Sequence, residues 1–127
     1  MENRVKKYDL EDRLVDFACI CLEVCDLLPP TRAGQNLEYQ LSKSSTAAAL
    51  NYGEAQAAES TADFIHKMKV VLKEIRESRV NLKIICRKPV IVNEKTDSCL
   101  NEANELMAIF IKSINTAKKN LHPSKTK

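Results

Sequence analysis

Four stretches of this chain repeat apolar residues at three- and four-residue spacing, which is the signature of helices with one buried face. The first runs from about Leu10 to Leu27, with Leu14, Phe17, Ala18, Cys21, Cys25 and Leu28 in line, and Pro29-Pro30 ends it. The second covers about Gln35 to Ala57, with Thr31 placed to cap it and a stripe of Leu37, Leu41, Ser44, Ala48, Asn51, Tyr52 and Ala55. Ser60-Thr61-Ala62-Asp63 reads as a capping box that opens the third, whose face is Phe64, Met68, Val71, Leu72, Ile75, Leu82 and Ile85. It reaches about Arg87, and Pro89 stops it. In the fourth, Thr96 or Asp97 caps a helix to about Asn120, with Leu100, Ala103, Met107, Phe110, Ile111, Ile114 and Ala117 inward.

Val90-Ile91-Val92 is too short and isolated to imply a sheet and is read as covering one end of the core. Residues 121–127 read as a flexible basic tail. With two glycines, Gly34 and Gly53, and no tryptophan, a β-sandwich or a Rossmann unit is a poor fit. The expectation is one all-α domain over residues 1–127, an antiparallel up-down-up-down four-helix bundle with rods about 35 Å long. The opening residues carry no apolar signal region, and no apolar run is long enough to span a bilayer, so a cytoplasmic protein without membrane contact is expected. Five cysteines, Cys19, Cys21, Cys25, Cys86 and Cys99, show no disulfide framework.

Beyond periodicity, the order Gln40-Leu41, Ser44, Asn51, Glu54-Ala55, Ser60, Asp63-Phe64, Met68 and Glu74, with Phe17-Ala18 before it, resembles the 23S rRNA intervening-sequence proteins, also called S23-type. The resemblance covers about Leu10 to Asn120 and departs at Val71 and Lys73, where many members carry small residues. It implies a bundle that assembles into a ring, typically a homopentamer. A related branch comprises the accessory proteins of diversity-generating retroelements, which form basic pentamers that bind nucleic acid and a reverse transcriptase.

In Ala48–Ala57, Asn51, Gly53 and Glu54 interrupt a strongly helical composition. No second acid or nucleophile accompanies them, so, together with Ser44, they read as a polar seam or interface in which Gly53 admits a close neighbour. Cys21 and Cys25 could hold zinc with Cys86 or His66, but small buried hydrophobes are the commoner role for such cysteines. There is no Glu-x-x-His motif, so a ferritin-like di-metal enzyme is not expected, nor is any catalytic residue, metal or cofactor.

The third helix carries Lys69, Lys73, Arg76, Lys83 and Arg87 within an arc of about 80°, turned away from its apolar stripe. Arg79 falls between the two faces, where it could pair with a glutamate or line an interface. The net charge of +3 permits polyanion binding without requiring it. By itself such a face is more commonly a solvated surface; the resemblance implies a phosphate-binding surface for RNA or DNA, dominated by backbone charge and sensitive to salt. The alternative is a protein-interaction scaffold whose lysines only confer solubility.

Overall fold

The computed structural model describes residues 9–88 and 94–121. The expected Pro89 stop, the Val90–Val92 run and the tail beyond Leu121 lie outside the described residues. Four helices follow one another: α1 (Leu10–Leu27), α2 (Arg32–Gln56), α3 (Thr61–Arg87) and α4 (Glu94–Leu121). Each packs on two neighbours in the cycle α1–α2–α3–α4, and α1–α4 is the lightest of the four seams. This is an all-α four-helix bundle, as the periodicity requires.

The helix starts are chemically marked. Asp9 Oδ1 accepts from the Glu11 amide at 3.2 Å. Thr31 Oγ1 accepts from the Gly34 amide at 3.1 Å. Ser60 Oγ accepts from the Asp63 amide at 3.0 Å, while Asp63 Oδ2 reaches back to the Glu59 amide at 3.3 Å. The bonds from Glu11, Gly34 and Asp63 each satisfy a donor that the first helical turn leaves unpaired, and the bond from Glu59 ties the entering chain back to α3. Because Thr31 caps directly, α2 begins three residues before the expected Gln35. The expected cap at Thr96 or Asp97 is not one: α4 already starts at Glu94, and Thr96 is buried in its first turn, its Oγ1 without a partner among the described residues.

Phe17, Phe110, Leu14, Leu41, Met68, Ile75, Leu82, Ile85 and Leu106 make the fully buried core. Each such side chain contributes roughly 1.5–3 kcal/mol of transfer free energy. Tyr52 sets its edge against the Phe110 ring, with centroids 5.7 Å apart, so α2 and α4 meet across the diagonal through side chains.

On α4 the buried line is Thr96, Cys99, Ala103, Leu106, Phe110, Ile114 and Ala117. Leu100 and Met107 are only half-buried, and Ile111 is exposed. Two overlapping apolar arcs run along this helix, and periodicity alone does not say which one faces inward. Asn104, which meets Arg79 of α3, marks the outer arc as the α3 flank.

The close approach within the chain expected at Gly53 is found at Gly34 instead. A Cβ at Gly53 would meet nothing within 4 Å, so no helix of this chain approaches it closely. A Cβ at Gly34 would lie 1.9 Å from the Pro29 carbonyl oxygen. The diproline turn folds back onto the first turn of α2, and only glycine fits there.

Candidate nucleic-acid interface

The five cations expected on the outer face of α3 do lie there. Lys69, Lys73, Arg76 and Arg87 are exposed and Lys83 is half-buried. They are spread along α3 between Lys69 and Arg87, about 27 Å of helix at 1.5 Å per residue. Of the five, Lys73 is the one engaged by acids among the described residues, with Glu77 at 3.6 Å and Glu74 at 3.9 Å. Among the described residues, no carboxylate lies within ion-pair distance of Lys69, Arg76, Lys83 or Arg87. Arg79 is separate from this set. It donates to Asn104 Oδ1 at 2.7 Å and so ties α3 to α4 rather than meeting a glutamate.

Beside the cations runs an open groove of about 570 Å³ between α2 and α3, bordered by Gln40, Lys43, Lys73, Glu74, Arg76 and Asn81. Lys43, from α2, adds a cation that single-helix reasoning left out. Gln40, Ser44 and Glu74, three residues of the pattern shared with the intervening-sequence proteins, line this same groove. Burial, reinforced by the neighbouring Glu77 charge, raises the Glu74 carboxyl above the ordinary glutamate range, and Lys73 opposes the shift. Val80 and Ile84 stand 47% and 46% exposed within the basic stripe. The face is therefore basic with an apolar insert, which a wheel of charges alone does not reveal.

Of the expected polar seam, Ser44 is one in fact: its hydroxyl lies 2.7 Å from that of Ser78 across α2–α3, and Ser78 also donates to the Glu74 carbonyl. Asn51 is half-buried and spends its amide on the Ala47 carbonyl of its own helix, at 2.8 Å. Gly53 and Glu54 face solvent. The α2 positions Tyr39, Lys43, Thr46, Leu50 and Gly53 recur at four- and three-residue steps, so they share a face. Tyr39 and Leu50 are 59% and 71% exposed on it.

The cysteines meet differently from the zinc arrangement considered above. Cys21 and Cys25 point inward, whereas Cys86 and His66 face solvent. Cys99 is the partner of Cys21, with sulfurs 3.2 Å apart. Among the described residues, no group of three His, Cys, Asp or Glu side chains is placed to hold a metal ion. No described helix is long and apolar enough to cross a membrane.

Comparison with known proteins agrees with this architecture. Residues 6–112 match the family described as 23S rRNA-intervening sequence protein. A crystal structure of a protein of unknown function from the S23 ribosomal protein family of Bacteroides thetaiotaomicron is similar, with a TM-score of 0.76 and 28% identity. The likeness covers 84% of this chain and 98% of that one. Among curated proteins, none matches the sequence.

Proposed function

The chain belongs to the 23S rRNA-intervening sequence protein family, and from that premise we propose that it is a non-enzymatic assembly protein that grips the phosphate backbone of RNA or DNA through α3. The observation that carries this reading is the set of cations on the outer face of α3 that no described carboxylate neutralises. Each phosphate that an unpaired cation neutralises releases a counterion condensed on the nucleic acid, so affinity should fall steeply with salt and discriminate little between sequences.

Assembly is the second half of the proposal. The outward face of α2, with Tyr39, Leu50 and the open side of Gly53, is where copies of the chain would meet to build a ring, a homopentamer by family resemblance. A ring repeats the basic stripe on every subunit and multiplies its field. Such a ring suits a cytoplasmic protein that works with nucleic acid and a protein partner such as a reverse transcriptase.

The test is a salt-titrated binding assay on single- and double-stranded RNA and DNA, run beside light scattering. A variant carrying Lys69→Glu, Arg76→Glu and Arg87→Glu should lose binding while keeping helicity and assembly. If it binds like the wild type, the site is wrong. Leu50→Glu should lower the scattering mass; an unchanged mass would remove the α2 face from the assembly. A protein-scaffold reading is favoured by exposed Val80 and Ile84 within the basic face. It would prevail if no nucleic acid binds even at low salt.

A further inference from the structure

We propose that Cys21 and Cys99 are a redox-active pair, which a hydroperoxide closes into an internal disulfide joining α1 to α4. The two residues are 78 positions apart in sequence, yet their sulfurs stand 3.2 Å apart, both fully buried. A disulfide needs sulfurs at about 2.05 Å. The remaining approach is about 1.2 Å, small enough to be met by side-chain rotation and a slight closing of the seam.

The third buried thiol does not compete for this partner. Cys25 Sγ is held towards α2, donating to the Glu38 carbonyl at 3.6 Å. Cys19 and Cys86 are exposed and form no such pair.

The chemistry balances without any group beyond the peroxide. One thiol sulfur takes an oxygen as the O–O bond breaks, and water or an alcohol leaves; the product is a sulfenic acid. The second sulfur attacks the first, the S–S bond forms and the S–O bond breaks. The departing hydroxide takes up the second thiol's proton as water. Two thiols and one peroxide thus become one disulfide and two small hydroxylic molecules, with two electrons passed to the peroxide oxygens.

Access limits the rate. The thiol of Cys21 is kept protonated by its contact with Cys99 and by burial, and protonated thiols are poor nucleophiles. Oxidation must wait for the α1–α4 seam to open locally, and that seam is the lightest in the bundle. A small neutral oxidant such as hydrogen peroxide is the reagent suited to this route.

The experiment uses the full chain carrying Cys19→Ser and Cys86→Ser, which removes only exposed thiols. After incubation with hydrogen peroxide in native buffer, titration in denaturant should find one free thiol where the untreated protein has three. Peptide mapping should recover a Cys21–Cys99 bridge. The thermal midpoint should rise by on the order of 10 °C, because the bond closes a long loop in the unfolded chain. Reduction should restore the starting value. Three surviving thiols, or a Cys25–Cys99 bridge, overturns the assignment. So does loss of two thiols from a variant that also carries Cys21→Ala. A midpoint that stays put or falls removes the stabilising role.

Discussion

The cations of the α1–α4 seam and those on the outer face of α3 have the same chemistry and opposite circumstances. Arg13 of α1 holds Glu102 through two bonds, at 2.6 and 2.9 Å, and Glu105 through a third at 2.7 Å. Lys95 pairs with Glu23 at 3.0 Å across the same seam. The Glu102 carboxylate raises the Arg13 guanidinium still further above its ordinary value, so the arginine end of this link stays charged. On α3, Lys69, Arg76, Lys83 and Arg87 meet no described acid at all. A charge whose partner lies on another helix of the same chain helps to hold the bundle together. A charge left open keeps its long-range field, which is what attracts a polyanion.

The largest effect should come from reversing the open set. The triple variant with glutamate at positions 69, 76 and 87 should lose about 10²- to 10³-fold in affinity and reduce the salt slope by about three. Its thermal midpoint should stay within a few degrees, because exposed substitutions away from packed features change stability little. A large drop in midpoint would mean that these residues serve the fold after all.

Next in size is Arg13→Gln, which removes a half-buried fork and leaves Glu102 without its partner. It should cost about 1–3 kcal/mol in urea unfolding, with nucleic-acid affinity unchanged. Weaker binding without lost stability would reverse the division of labour drawn above.

Glu74 gives a smaller, pH-dependent effect. Its pKa is raised in the fold, so the folded protein holds that proton more tightly than the unfolded chain does. The associated stability is full below the ordinary glutamate pKa, about 4.3, and is lost as pH rises through the elevated value. Protonation also removes a negative charge from the groove, so binding should tighten over the same window as pH falls. Glu74→Gln should bind a few-fold tighter at neutral pH and flatten both profiles; wild-type-like pH profiles would show that another group is responsible.

The smallest effect belongs to Lys73→Gln. Glu74 and Glu77 already flank this lysine, so its loss should weaken binding less than twofold, against several-fold for Arg76→Gln. Equal losses at the two positions would show that flanking acids do not sort these cations.

Much of the fold was legible because helix signals are local. Thr31 and Ser60 announce their helices through a side-chain oxygen within three residues of the amide that it caps. Thr96 carries the same chemistry and misleads, because α4 begins before it and turns it into the core. The basic arc on α3 was readable from spacing, and so was Glu77 one turn beyond Lys73, but Lys43 was not, since its place beside the arc depends on which side of α2 faces α3. Gly53 drew attention by sitting inside a helical segment. Gly34 proved to be the glycine required by space, because the chain folds back at Pro29.

The sequence by itself determined four amphipathic helices, most of their limits and the grouping of five cations on one face, because the α-helical repeat fixes which residues share a side. Only the tertiary structure decided that Arg13 is spoken for while Arg76 is open, that Cys21 finds Cys99, and that Leu106 rather than Ile111 enters the core. Those outcomes depend on the rotation and axial register of each rod against its neighbours. Interlocking side chains from separate helices set that register together, so no single stretch of residues encodes it.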